Sequence, residues 1–242
     1  MARPAAVALP AAHVPGDHRV RVAAARRERM RMRLIESALH VFAKKGLDAT
    51  DIKDVIEHAQ VSRGSFYNYF QTNEELMAAV LEALGNELLD LVDAVVTSRE
   101  DPAERLACGI RMVLHAARTH RLYARFAARV GIDKAVDNSL ALEYLPRDIG
   151  AGVEAGRFHV ASPMAALVLA LGTTHGAICA MAMDAELPEE FPEEVAYQVL
   201  LGLGMTRVAA RKLVGKPIDA VRFPPASLLA RTLPVHGISR EA

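Results

Sequence analysis

The stretch Ser62–Phe70, SRGSFYNYF, places four of the chain's twelve Phe and Tyr residues within five positions. Because a helix advances about 100 degrees per residue, Phe66 and Phe70 lie about 40 degrees apart on one face, and we expect both to pack inward. Gly64 and Asn68 lie on the opposite face, where glycine allows close approach to a surface and an amide can donate and accept hydrogen bonds. The stretch predicts a short helix with an aromatic underside and a small polar ridge.

Two further helices are predicted just before this stretch. Apolar residues at helical spacing indicate a first helix from about Arg27 to Lys45, which Gly46 can end. Thr50 can cap a short second helix whose apolar face is formed by Ile52, Val55, Ile56 and Ala59.

Only Gln60, Val61 and Ser62 separate this second helix from the third, which Ser62 caps and which should last about two turns, from Arg63 to Phe70. Two short helices joined by a tight turn are typical of a helix-turn-helix. The hydroxyls of Ser65, Tyr67 and Tyr69 flank the polar ridge, which suits the major groove of DNA.

Composition indicates a folded protein, since 52% of the 242 residues are hydrophobic and 24% are charged. The two cysteines, Cys108 and Cys179, are too far apart to suggest a disulfide framework or a thiolate metal site, and a cytoplasmic location fits best. The uncharged segment 164–183 is long enough to span a membrane. Its central glycines and acidic flanks favour a helix buried in protein instead, so no membrane partner is expected.

The net charge of zero hides an uneven distribution of charge. Residues 1–70 hold twelve Lys or Arg against seven Asp or Glu, a net +5, which leaves −5 for residues 71–242. A locally positive surface can attract a polyanion even when the whole molecule is neutral. Either a solubilising tail or a DNA contact accounts for the densest cluster, which comprises Arg19, Arg21, Arg26, Arg27, Arg29, Arg31 and Arg33.

The remaining sequence predicts an all-α fold, because strand patterns are scarce and helix-starting signals recur. A long helix should run from Thr72 toward Val96, and another from Asp101-Pro102 through Arg118. Further helices are expected at about 120–130, 134–155 with a break near Pro146, 163–184 and 189–214. The last segment, 215–242, should be a tail with little regular structure.

From about Arg29 to Val92 the chain resembles TetR-type transcriptional regulators, through ESALHVFAKKGLDATDIKDVIEHAQVSRGSFYNYFQTNEELMAAV. The resemblance implies an N-terminal three-helix helix-turn-helix head joined to a helical ligand-binding and dimerisation body. The implied divisions are a flexible arm at 1–27, the DNA-binding head at 28–72, the body at 73–214 and the tail at 215–242. It also implies a repressor that binds pseudo-palindromic double-stranded DNA as a homodimer. A small hydrophobic or amphipathic molecule would release this repressor from DNA.

Carried over by position, the resemblance implies that Thr50 contacts a phosphate and that Tyr67 and Tyr69 do the same. The residues expected at bases or nearby sugars are Arg63, Gly64, Ser65 and Asn68, with Ser62 capping their helix. The chain departs from the family pattern in two places: Gln60 stands where glycine is usual, and Asn73 where a phosphate-binding lysine is common. The turn at Gln60 is therefore expected to differ slightly in shape.

The body is harder to interpret from sequence. Candidate ligand contacts are polar or soft side chains within apolar helices: His115, Tyr123, Phe126, Thr174, His175, Cys179 and Met183. Glycines at 172, 176, 202 and 204 would let helices approach closely at a dimer interface, near Leu169, Leu200 and Leu203.

Two other classes of protein remain as alternatives. A helical enzyme is disfavoured because no catalytic or metal-binding motif is found, and neither a cofactor nor a metal is expected. A protein that uses the 62–70 helix to grip another protein should bind with little salt dependence, whereas DNA binding weakens steeply as salt rises.

Overall fold

The computed structural model describes residues 15–135, 139–183, 186–218 and 221–230. These residues form eleven helices and no strand, which confirms the all-α prediction. The helices are α1 (Pro15–Lys45), α2 (Ile52–Ala59), α3 (Arg63–Tyr67), α4 (Asn73–Val96), α5 (Pro102–Thr119), α6 (Arg121–Val130), α7 (Ile132–Ala135), α8 (Ala141–Glu154), α9 (Pro163–Met183), α10 (Phe191–Gly202) and α11 (Arg207–Val214).

Helices α1 to α3 form the head. The apolar stripe of α1 is fully buried against α2 and α4, as its spacing predicts; it comprises Leu34, Ile35, Ala38, Leu39 and Phe42. Phe66 of α3 is 0% exposed and Phe70, just after α3, is 4% exposed, so both aromatic rings pack inward as predicted.

The arginine-rich arm is helical from Pro15 onward rather than flexible, because α1 begins twelve residues before the predicted start. Residues 1–14 lie outside the described part of the chain. Residues 20–29 are all exposed, so this part of α1 gains little from packing. Alanine and arginine, both strong helix formers, supply its helical tendency.

Helix α4 joins the head to the body as one continuous rod of 24 residues. The hydroxyl of Thr72 accepts a hydrogen bond from the Glu75 N–H, and Glu74 and Glu75 place negative charge at the positive end of the helix. The predicted start at Thr72 and end at Val96 agree with the structure to within one residue.

The body packs α4, α5, α6, α8, α9 and α10 around one core. Pro146 lies inside α8 and does not break it, contrary to the prediction. Proline removes the hydrogen bond to the carbonyl four residues earlier, that of Leu142. Both residues are exposed, so water can satisfy that carbonyl.

The predicted helix at 189–214 is two helices, α10 and α11, because the chain turns at Gly202-Leu203-Gly204. Gly204 has φ +87°, in the left-handed region that favours glycine, and the Thr206 side chain then caps α11. A Cβ on Gly204 would lie 2.7 Å from the carbonyl oxygen of His159. The turn therefore depends on glycine for both its conformation and its packing.

Replacing Gly204 by alanine should lower the free energy of unfolding by about 2–5 kcal/mol, since the positive φ costs about 1–2 kcal/mol and the backbone overlap about 1–3 kcal/mol. Urea unfolding measures the loss. Gly156 provides the matched control, because it has φ +65° and a Cβ added there would meet nothing within 4 Å. Equal losses for Gly156→Ala and Gly204→Ala would show that the contact with His159 contributes nothing.

The described residues of the C-terminal segment, 215–218 and 221–230, contain no α-helix, and those from 221 onward are packed against the body; residues 219–220 and 231–242 lie outside the described part of the chain. Leu228 and Leu229 are buried, and their N–H groups donate to the two carboxylate oxygens of Glu87 on α4 at 3.0 and 2.9 Å. The ring of Phe223 meets the ring of His120 edge-on, with centroids 4.4 Å apart. The segment thus ties α4 to the junction of α5 and α6.

Candidate nucleic-acid interface and ligand cavity

The polar ridge of α3, formed by Arg63, Gly64, Ser65 and Asn68, lies on the outside of the head. Arg63, Gly64 and Asn68 are exposed and Ser65 is half-buried. A Cβ on Gly64 would meet no atom of the chain within 4 Å. The ridge is therefore free to approach another molecule closely.

Helix α3 is shorter than predicted, since it ends at Tyr67 and Asn68 is its C-cap. The chain then forms a tight turn, in which the Tyr69 N–H donates to the Phe66 carbonyl oxygen at 2.9 Å. The Phe70 N–H donates to the same oxygen at 3.1 Å, which keeps Phe70 beneath Phe66. At its other end, the Ser62 side chain accepts a hydrogen bond from the Ser65 N–H at 3.1 Å, as predicted for a cap.

The rings of Tyr67 and Tyr69 are half-buried against the head core, so each residue has a packed ring and a polar tip. The Arg63 guanidinium lies 5.6 Å from the centroid of the Tyr67 ring, within cation–π range. This contact holds a positive charge beside the polar ridge.

Asp51, rather than Thr50, caps α2, which corrects the capping prediction. The Asp51 side chain accepts from the Lys53 N–H, and the Asp54 side chain accepts from the Asp51 N–H. A carboxylate is both a cap acceptor and a favourable charge at a helix N-terminus. Thr50 is buried and its hydroxyl donates to the Gly46 carbonyl oxygen at 2.7 Å, so it could donate to a phosphate only if that bond broke.

Gln60 keeps the turn in the left-handed conformation, with φ 53° and ψ 47°. It has the only positive φ at a non-glycine residue among those described. Glycine adopts this conformation readily, whereas it costs another residue about 1–2 kcal/mol, and the expected difference in turn shape stays a prediction. At the other departure, Asn73 donates from Nδ2 to the Thr50 carbonyl oxygen at 3.4 Å, within the head.

A cavity of about 130 Å³ lies in the body between α4, α5, α6, α8 and α9. Its wall is mainly apolar and includes Leu81, Leu89, Val92, Leu106, Ile110, Val113, Leu145, Leu171 and Ile178. Two glycines, Gly85 on α4 and Gly109 on α5, also face it, and the absence of side chains there helps to open the space.

Three contacts join the head to the body near this cavity. Arg31 of α1 donates to Glu82, a residue of the cavity wall, with Nη2 and Oε2 3.3 Å apart. The rings of Phe42 and Phe126 meet at right angles, 5.2 Å apart. Arg129 pairs with Asp48 at 3.1 Å, through side chains that are more exposed.

Two sequence families match the chain. Residues 34–80 match the family described as bacterial regulatory proteins of the tetR family, and residues 101–216 match the tetracyclin repressor-like C-terminal domain. Together these matches cover the head and most of the body. The chain belongs to the TetR family. It is a DNA-binding transcriptional regulator and not an enzyme.

Relatives agree with this assignment. The regulator YfiR of Bacillus subtilis is 27% identical over 153 residues, which span 58% of this chain and 74% of YfiR. The repressor KstR2 of Mycobacterium tuberculosis is 34% identical over 73 residues, which span 30% of this chain but only 36% of KstR2. The solved structure of RolR with the ligand resorcinol is 28% identical with a TM-score of 0.71, covering 82% of this chain and 100% of that one.

The cavity of this TetR-family regulator contains three of the seven residues predicted as ligand contacts: Tyr123, Thr174 and His175. Burial raises the pKa of Tyr123 to about 12 and lowers the pKa of His175, so both side chains are uncharged near neutral pH. Thr174 donates its hydroxyl hydrogen to the Ala170 carbonyl oxygen at 2.7 Å.

The other four predicted contacts do not line this cavity. His115 bonds to Glu193 at 2.9 Å beside a separate groove, and Phe126 is fully buried against Phe42. Cys179 contacts His175 at 3.5 Å, and Met183 is 81% exposed at the end of α9. The sequence pattern indicates which residues of a helix are apolar, but it does not indicate which face of a buried helix lines a cavity.

Sequence reasoning missed the polar residues that other helices bring to the cavity wall: Glu82, Asn86, Asp93, Arg105, Ser139, Tyr144 and Asp148. Judged from the neighbouring sequence alone, each of them resembles an ordinary surface residue. Asp148 is 5% exposed and is paired with Arg105 and Arg147. In the described part of the chain, no cluster of three or more His, Cys, Asp or Glu residues could hold a metal ion.

Helix α9 carries an apolar face that the described part of the chain leaves uncovered. Met164 and Val168 are 66% and 61% exposed, and Gly176 is exposed on the same side. By length and composition α9 could cross a membrane, and only 28% of its most apolar window is buried. Within one chain the described residues therefore bury α9 only in part, and the expectation of a helix buried in protein stays a prediction. Leu200 and Leu203, which were expected near a dimer interface, are 0% exposed in the core of this chain.

Proposed function

We propose that the protein is a transcriptional repressor that binds a pseudo-palindromic operator as a homodimer and releases it when a small molecule fills the body cavity. The observation that carries the proposal is that α4 lines this cavity and also packs against α1 of the head. KstR2 is named a repressor and RolR was solved with resorcinol, which supports repression and a small effector. A cytoplasmic location follows from this role.

Recognition would begin with the polar ridge of α3 in the major groove. Arg63 and Asn68 would read base edges, while Ser65, Tyr67 and Tyr69 would bond to sugar or phosphate. The exposed arginines of α1 add positive charge to the head, and their DNA contact remains a proposal beside the solvated-tail alternative.

The dimer would form through the exposed face of α9, because a second copy would cover its uncharged apolar stripe. Regulators of this family form dimers. A two-fold axis places one reading head on each half-site, so the operator should be pseudo-palindromic.

Selection of bound sequences from a random DNA pool tests the proposed reading of DNA. The expected product is an inverted repeat whose affinity falls steeply between low and high salt. Binding to another protein with little salt dependence, and no enriched DNA sequence, would favour the interaction-protein alternative. Regulation is tested separately, by measuring operator affinity with and without candidate small molecules.

The Arg31–Glu82 pair offers a route from cavity to head, since a ligand that moves Glu82 also moves α1. Replacing Glu82 by glutamine should change unfolding free energy by less than about 1 kcal/mol, because the pair is partly exposed. The ratio of operator affinities without and with ligand, set by a coupling of about 1–3 kcal/mol, should fall by about threefold.

A matched control is Glu104→Gln, which weakens an ion pair with Lys216 that lies wholly within the body. Fluorescence anisotropy with labelled operator gives both ratios. If Glu82→Gln and Glu104→Gln behave alike, the ligand signal does not pass through Arg31.

A further inference from the structure

The size of the body cavity limits what it can hold. A cavity of about 130 Å³ is slightly smaller than an apolar cavity of roughly 150 Å³ that holds benzene. The space is therefore on the scale of a single six-membered ring. A long acyl chain or a fused ring system would extend beyond it.

The charges on the cavity wall are already paired. Glu82 is bonded to Arg31, and Asp93 is bonded to Arg147 at 2.7 Å. Asp148 accepts from Arg105 at 3.1 Å and also from Arg147. A charged ligand would have to break one of these pairs or enter without a partner, and either is costly in a largely apolar site. An uncharged ligand is favoured.

One polar group on the wall lacks a partner. Tyr123 is 8% exposed, burial alone accounts for its raised pKa, and among the described residues its hydroxyl makes no hydrogen bond. The edge of its ring lies beside α4, with Cε2 4.0 Å from the position of a Cβ on Gly85. A hydroxyl that no protein group bonds is available to a ligand in the cavity, and a hydrogen bond to it would add affinity.

The neighbouring polar groups suit a ligand hydroxyl. The Thr174 hydroxyl donates its hydrogen bond to the Ala170 carbonyl oxygen, so it can only accept a hydrogen bond from a ligand. Tyr123 can both donate and accept. A hydroxyl on a small ring can therefore accept from Tyr123 or donate to either residue, while the ring packs against the apolar wall.

We infer that the effector is an uncharged single-ring aromatic alcohol, a phenol, whose hydroxyl group bonds to Tyr123. This inference rests on the proposed function, which makes the cavity the effector site. It goes further by excluding carboxylates, amines and long-chain ligands and by assigning the anchoring residue.

Calorimetric titration of the full-length protein without DNA tests it, with phenol, toluene, benzoate and decanoate as probes. Phenol should bind most tightly. Tyr123→Phe should weaken phenol about tenfold and leave toluene unchanged, because one hydrogen bond is lost and the ring space is kept. Gly85→Val, which adds methyl groups inside the cavity, should weaken both phenol and toluene.

Circular dichroism melting checks that each variant is folded, and Gly85→Val keeps the test valid if Tyr123→Phe unfolds. The inference is overturned if benzoate or decanoate binds better than phenol, if Tyr123→Phe leaves phenol binding unchanged, or if none of the probes binds. Operator release is a separate measurement. If phenol binds through Tyr123 without weakening the operator complex, the regulatory proposal fails and the ligand assignment stands. If decanoate alone releases the operator, the ligand assignment fails and the regulatory proposal stands.

Discussion

Replacing Gly64 by leucine should abolish specific operator binding while leaving the fold and stability of the protein unchanged. Gly64 is exposed on the polar ridge of α3, and no atom of the chain lies within 4 Å of the Cβ position. Leucine also has a higher helix propensity than glycine by about 0.8 kcal/mol. The added side chain therefore meets no obstacle in the free protein.

In the complex the same side chain would occupy the space between α3 and the base edges. Specific binding is typically about 10³-fold or more tighter than nonspecific binding. We expect a loss of at least about 100-fold for the selected operator, measured by fluorescence anisotropy, with little change on random DNA.

The matched control is Gly150→Leu on α8, where a Cβ also meets nothing within 4 Å and the residue is likewise exposed. Its operator affinity should equal that of the parent protein. Full operator affinity for Gly64→Leu would mean that the ridge of α3 does not enter the groove.

Replacing Val168 by aspartate should separate the dimer into folded monomers and weaken operator binding by at least about 100-fold. Val168 is 61% exposed on the uncharged face of α9, so the change is tolerated in a single chain. In a symmetric interface it would bury two like charges near the axis, which costs several kcal/mol. Each separated chain would then read only one half-site.

Light scattering should show a shift from twice the mass of one chain to the 26.2 kDa of the monomer. Val153→Asp on α8 is the control, because Val153 is 41% exposed and lies outside α9. If Val168→Asp remains dimeric, the apolar face of α9 is not the interface.

The head was the most predictable part of the protein because its signals are local. The aromatic pair Phe66 and Phe70, the cap at Ser62 and the apolar stripe of α1 all act within one or two helical turns. The errors there were also local. The N-cap of α2 is Asp51 and not Thr50. Both residue types favour an N-cap position, so the sequence did not distinguish them.

Errors in the body arose where the signals are not local. Pro146 is tolerated in α8 because its surroundings are exposed. The long helix predicted at 189–214 is divided because Gly204 meets the backbone of His159 from a distant segment. The described residues 221–230 contain no α-helix but are held in place, since Glu87 on α4 accepts hydrogen bonds from two of their N–H groups.

The sequence by itself determined the all-α class, the helix-turn-helix with its outward ridge, and membership of the TetR family, because periodicity, caps and turns are set by residues close together in the chain. Only the tertiary structure decided where the cavity lies, that Tyr123 faces it without a partner and that Glu82 joins it to Arg31. Those features depend on which faces of α4, α5, α6, α8 and α9 meet. No local pattern encodes a void or an unpaired hydroxyl, because both arise only when segments far apart in the chain pack together.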